Sequence, residues 1–569
     1  MKVSHIFLVI VFLIFSGCSG NSGIRNQKII EGRNIASKHG MVVSAHPQGS
    51  LTGVRILQEG GNAVDAAVAT GFALAVCYPE AGNIGGGGFM VIRTSDGSAD
   101  VIDFREKAPL GASRDMYLDD DGNVIEGSST AAHLAAGVPG SVDGLIKIHS
   151  KYGRLSFRKV IQPAIDLAKN GYSLTEEQAR SLNDNREYFI RKNKNKPAFV
   201  KDTEWKAGDI LKQPDLSETL ERIRDHGRDG FYSGETAQLI LQEIKRGNGI
   251  ITEQDLSEYE SVFREPLITE YRGCRLITVP PPSGGGIILF QLLGIVESSP
   301  LEEWGFHSVK SIHLITEAER RVYADRAEFS GDPDFINVPV AGLLDHEYLT
   351  GRLADFDENK ASLSAEIRAG SPEGYVSEET THYSVVDENG NAVAVTTTLN
   401  NIYGSSIIVD GAGFFLNNEM NDFSVKPGVP NIFGLTGGDA NAIEPGKRML
   451  SSMTPVIVDK DGKLFLVAGS PGGSTIPTSV FQVIINVIDH NMGIREAVDT
   501  GRFHHQWLPD WISYEADGID SLTLLKLKHL GHETMLRQSI GRVNAIQVLP
   551  DGGLAGGADK RGNNTACSY

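Results

Sequence analysis

Residues Ser377–Asn400 read SEETTHYSVVDENGNAVAVTTTLN. Two runs rich in valine and threonine flank Glu388-Asn389-Gly390, the turn chemistry of a β-hairpin. Loop length sets the register. A two-residue loop places Thr380 opposite Leu399, and a three-residue loop places it opposite Thr398. Only the second puts both threonine side chains on one face, because side chains alternate along a strand. In either register Thr380, Thr398 and Asn400 gather at the open end. A threonine in a strand is ordinarily a β-propensity choice, and no histidine base is spaced around these in a serine-hydrolase pattern.

Upstream, Asp355–Glu379 is polar and rich in Gly, Pro and Glu, so it is expected to be an exposed loop ending directly at Thr380. Downstream, Lys463–Ile488 (KLFLVAGSPGGSTIPTSVFQVIINVI) predicts a strand, a tight glycine loop and a helix. Such a loop aims backbone N–H groups at whatever lies above the helix start. The lysine of a phosphate-binding G-K-[ST] loop is missing, and a carboxylate or a developing oxyanion fits as well as phosphate. Farther back, Gly60–Val76 is apolar all round, which suits a helix buried between layers. Gly87–Pro109 predicts a hairpin turning at Asp96-Gly97, with Arg105 at the far end of its second strand. Val279–Gly286 (VPPPSGGG) is loop punctuation before an apolar run, and Ser308–Phe329 predicts a helix.

Taken together, these features suggest one chemistry. A threonine hydroxyl without a neighbouring base can be activated by its own α-amine once the chain is cut before it. An α-amino group titrates near about pH 8, close to ideal for a general base.

The formal charge of −19 over 569 residues argues against nucleic-acid binding, since phosphate would be repelled over most of the surface. Residues 1–17 form a short apolar secretory signal. Ser16-Gly17-Cys18 resembles a bacterial lipoprotein cleavage site, which would make Cys18 a lipidated first residue, a membrane tether through residues 18–28, and the location periplasmic. The remaining Cys77, Cys274 and Cys567 are no disulfide framework. No C-x-x-C or H-E-x-x-H occurs, so neither a metal nor another cofactor is expected.

The chain closely resembles the γ-glutamyltransferase (γ-glutamyltranspeptidase) family of N-terminal-nucleophile hydrolases. The likeness rests on TTHYSVVDENGNAVAVTTTLN, LNNEMNDFSVKPGVPN, KRMLSSMTP, AGSPGGS, RFHHQWLPD and DFREKAP, and extends from about Ile29 to Tyr569. It implies an α+β fold, a four-layer αββα sandwich, made as a precursor that cleaves itself between Glu379 and Thr380. Residues 29–379 would form a large subunit and 380–569 a small one, folded together as a heterodimer.

By matching position, the resemblance makes Thr380 the nucleophile and Thr398 its contact during processing. The N–H groups of Gly472 and Gly473 become the oxyanion hole. Arg105, helped by Ser451 and Ser452, would bind the substrate α-carboxylate, and Asn400, Glu419 and Asp422 would surround the α-ammonium. Phe433 stands in the lid loop where a well-known lid has tyrosine, which implies a functional but looser lid. The implied reaction passes a γ-glutamyl group from glutathione or a related donor to water, an amino acid or a peptide. Two rival activities share the scaffold, a cephalosporin acylase and a poly-γ-glutamate depolymerase. A rival of another class is a solute-binding lipoprotein that needs the head-group pocket but not Thr380.

Overall fold

The computed structural model describes residues 28–370 and 381–569. Glu379, Thr380 and Cys18 lie outside the described residues.

The opening hairpin forms as strands Thr381–Val386 and Ala392–Thr398, every residue of both buried. Their register pairs Thr381 with Thr397 and Val386 with Ala392, so the loop has three residues. The Asp387 carboxylate fixes it by accepting from the N–H groups of Asn389 and Asn391, with Gly390 at φ 80°. This is Asx-type turn chemistry, in which a carboxylate substitutes for backbone acceptors and glycine supplies the positive φ.

The two strands are the fourth and fifth of an eight-stranded antiparallel sheet. Met41–Ser44 flanks them on one side and Gly87–Arg93 on the other. Gly87–Arg93 turns into Ala99–Asp103 at Asp96-Gly97, as the sequence predicts. A second, seven-stranded antiparallel sheet is centred on Lys463–Gly469, which lies between Asn544–Val548 and Val456–Lys460. Both sheets take strands from either side of residues 371–380, so the two stretches build one unit.

Three apolar layers hold the stack together. Between the sheets lie Val43, Phe89, Val91, Ile277, Ile457, Val467 and Ile546. Outside the first sheet pack Pro47–Gln58 and Ala63–Cys77. The second of these helices is buried along its whole length, as its uniform apolarity predicts. Its start is fixed by Asn62, whose side chain accepts from the Val64 and Asp65 amides while Asp65 accepts from the Asn62 amide. Outside the second sheet pack Gly285–Val296, Val309–Phe329 and Ile476–Ile488. Helix, sheet, sheet, helix is the expected αββα order.

One expectation holds only in part. Asp355–Gly370 carries no helix or strand, but it is not simply exposed: Ala361, Ser364 and Ile367 are buried. The Ser362 amide donates to Glu317, the Ser364 amide donates to Asp510, and the Gly370 amide donates to Asp325. Charged groups on helix Val309–Phe329 replace the sheet partners this stretch lacks, which a local polarity pattern cannot reveal.

Candidate functional site

The described site lies where strand Ala392–Thr398 ends. Gly86 passes so close that a Cβ there would sit 1.9 Å from the Thr398 carbonyl oxygen. That oxygen accepts from Asn83 Nδ2 at 2.7 Å, and the Thr398 hydroxyl accepts from the Asn400 amide at 2.6 Å. The second bond holds Asn400 at φ 73°. The segment carrying Glu419 and Asp422 is strapped to this strand end. Asn400 Nδ2 donates to the Asn418 carbonyl, and the Asn418 amide donates to the Leu399 carbonyl.

Arg105 is fully buried beneath this strand end. Its guanidinium lies 2.8 Å from Glu419, 2.6 Å from Asp422 and 3.2 Å from Glu106. It also donates to the carbonyls of Met449 and Leu450, the two residues before Ser451-Ser452. Ser451 is held from behind by the proline loop: its amide donates to the Pro282 carbonyl, and the Gly284 amide donates to its carbonyl. The Ser452 hydroxyl accepts from Arg326. The structure therefore brings Arg105, Asn400, Glu419, Asp422, Ser451 and Ser452 to one place. The sequence reading missed Glu106 and Asn83. Glu106 adjoins Arg105 in the same motif and was legible there, whereas Asn83 needs the fold to reach Thr398.

Burial pushes the Glu419 carboxyl up to about 8, against the pull of Arg105, and pushes Glu106 up to about 7. Arg105 is shared among three buried carboxylates, whose mutual repulsion adds to burial in raising these values. The sign for stability follows from these raised values. Between about pH 4.5 and 8 the folded state holds protons that the unfolded chain has released, so this cluster's contribution falls as pH rises through that window. The thermal midpoint of Glu419→Gln should therefore decline less from pH 5 to 8 than that of the wild type. Equal slopes in a pH series of melts would refute this.

In the glycine loop, Gly472 adopts φ 132° and Gly473 φ 69° just before helix Ile476–Ile488. A Cβ on Gly472 would lie 2.6 Å from Thr475 Oγ1 and 3.0 Å from Gly541 Cα, so only glycine fits this turn. The turn and the short 3-10 stretch after it lead straight into that helix, and a helix start favours an anion.

The histidine nearest Thr380 in sequence, His382, is buried between the sheets and hydrogen-bonded to Thr396 and Ser384. Burial lowers its pKa to about 3, so it remains a neutral structural group. Among the described residues one cluster has metal-ligand types, namely His313, Glu317 and His532. Glu317 is already paired with Arg320 and Arg321, whose charges oppose a cation there. Phe433 packs at the margin of the second helical layer, half-buried.

A four-layer αββα sandwich with the Arg105 cluster at the open end of its central hairpin is the architecture of an N-terminal-nucleophile hydrolase. The backbone superposes on a cephalosporin acylase from Bacillus halodurans with a TM-score of 0.83 at 24% identity, over 98% of this chain and 99% of that one. The sequence model of γ-glutamyltranspeptidase matches residues 49–569. The glutathione hydrolase proenzyme of Escherichia coli K12 is 48% identical over 529 residues, covering 93% of this chain and 91% of the relative. The γ-glutamyltranspeptidase structure from Helicobacter pylori matches at 43% identity with a TM-score of 0.56, over 57% of this chain and 94% of that one. The chain belongs to the γ-glutamyltranspeptidase family.

Proposed function

We propose that this enzyme is a glutathione hydrolase that is made as a proenzyme and also transfers γ-glutamyl groups. Its nucleophile is Thr380, freed by cleavage after Glu379, so that residues up to Glu379 and from Thr380 form two subunits of one fold. The α-amine of Thr380 takes the hydroxyl proton as Oγ attacks the γ-carbonyl, and the Gly472 and Gly473 N–H groups stabilise the oxyanion. The leaving amine departs with that proton, and water or an acceptor amine then resolves the ester. The observation that carries the donor class is the buried Arg105–Glu419–Asp422 cluster. It offers one fork for a carboxylate and two acids for an ammonium, the two charges of a free amino-acid head group. The γ-carbonyl then lies one side chain away from that head group.

Together with Ser451, Ser452 and the lid loop, the same cluster favours small γ-glutamyl donors over the acylase and depolymerase alternatives. A signal sequence over residues 1–17, with Cys18 as the lipidated first residue after it, supports a periplasmic, lipid-tethered location. No described helix is long and apolar enough to cross a membrane.

The test is release of anilide from a γ-glutamyl-anilide, with and without a dipeptide acceptor. Purified protein should run as two chains on a denaturing gel, release anilide, and form a γ-glutamyl dipeptide when the acceptor is present. An uncut chain that binds glutamate but releases nothing would leave the solute-binding reading standing.

A further inference from the structure

The motif RFHHQWLPD contributes Gln506, which lies between two parts of the site that otherwise share no hydrogen bond among those described. Its Oε1 accepts from the Ser474 hydroxyl at 2.7 Å, and Ser474 directly follows the Gly472-Gly473 turn. Its Nε2 donates to the Phe433 carbonyl in the lid loop at 3.2 Å and to the Leu508 carbonyl at 3.2 Å. His504 Nε2 lies 3.0 Å from the same Oε1. Burial pushes His504 down to about 3, so its ring is neutral, and a proton on Nε2 completes the set. Two donors on Oε1 and two acceptors on Nε2 saturate the amide and fix which way it faces.

Both contacts are aimed at features that decide chemistry. Tyr323 donates its hydroxyl proton to the Ser474 carbonyl, so Ser474 is gripped at side chain and main chain together. At the lid end, Gly434 takes φ 76°, and a Cβ there would lie 3.3 Å from Gln506 Nε2. The lid main chain therefore rests directly on this amide.

We propose that Gln506 is a positioning residue that couples lid closure to the geometry of the oxyanion turn. With the lid seated, the Phe433 carbonyl orients the amide, and the amide orients Ser474 and with it the turn. A displaced lid leaves the turn less well set. The inference rests on the proposed hydrolase reading, because it supposes that Gly472 and Gly473 serve the reaction.

Three variants test it. Gln506→Leu keeps the shape and removes both arms. Gln506→Glu keeps the acceptor toward Ser474 but faces the Phe433 carbonyl with another acceptor. Ser474→Ala removes only the turn arm. Each is assayed for anilide release, for the rate of proteolytic nicking within residues 429–438, and for subunit cleavage and melting as controls on folding. Gln506→Leu and Gln506→Glu should each lower kcat about tenfold with KM changed less than about threefold, and nicking should rise several-fold. Ser474→Ala should also raise nicking, although it touches no lid atom. Unchanged nicking in Ser474→Ala, or unchanged kcat in Gln506→Glu, would overturn the coupling. If Gln506→Leu fails to mature, the other two variants decide the matter. A wild type with no anilide release would instead refute the hydrolase reading itself.

Discussion

Thr380→Ala should run as one uncut chain and release anilide at least about 10⁵-fold more slowly than wild type, because nucleophile and base are lost together. On the proposed mechanism the Thr380 hydroxyl first attacks the carbonyl of Glu379, and water resolves the resulting ester. Alanine has no hydroxyl to begin that step, so the α-amine that would serve as base is never freed. Thr380→Ser separates the two roles: it keeps the hydroxyl, should still cleave, and should retain measurable turnover. The fold should be indifferent to both changes, since the described hairpin begins at Thr381 and is paired from there through Val386. Cleavage of the alanine variant between Glu379 and residue 380, read by mass spectrometry, would overturn this assignment.

How far the sequence reveals this molecule depends on the range of the interactions. The hairpin at 381–398, the hairpin turning at Asp96-Gly97 and the strand–loop–helix at 463–488 each follow from local turn chemistry and periodicity, and each forms where expected. The hairpin register stayed open between two loop lengths, although Asp387 was legible as the residue whose carboxylate closes a three-residue turn. Segment 355–370 is the expected loop, but its buried anchor points at Ala361, Ser364 and Ile367 were not legible, because their partners lie on a remote helix and in the loop around Asp510. The site residues were locatable by resemblance, but their mutual pairing was not. Arg105 and Asp422 stand 317 positions apart, and only the folded chain shows that Arg105 is already held by Glu419 and Asp422. On the proposed function, that pairing makes the site a charge-exchange device: a zwitterionic head group bound there would replace contacts the protein makes with itself, at Arg105, Glu419 and Asp422, which are all buried.

Arg105→Lys should therefore lose about 10²–10³-fold in kcat/KM, mainly through KM, while still processing to two chains. A lysine ammonium keeps the charge but not the fork. It cannot at once meet Glu419, Asp422 and the Met449 and Leu450 carbonyls that Arg105 holds. Truncating one partner of a buried, hydrogen-bonded charge pair costs roughly 2–5 kcal/mol, about 30- to 5,000-fold, and the expected loss lies in the middle of that interval. Arg105→Met should do worse. It removes the guanidinium that Glu106, Glu419 and Asp422 share, a change that costs about 3–5 kcal/mol where a buried pair is broken, and it should lower the melting point as well as activity. A general loss of structure is told apart from loss of carboxylate recognition by a second donor, 4-aminobutyryl-anilide, which lacks the α-carboxylate. Wild type should discriminate against it by about 10³-fold, and Arg105→Lys by about tenfold or less, because the contact that distinguishes the two donors is gone. If the variant discriminated as strongly as the wild type, the α-carboxylate would be bound elsewhere and Arg105 would be a structural counterion for Glu419 and Asp422.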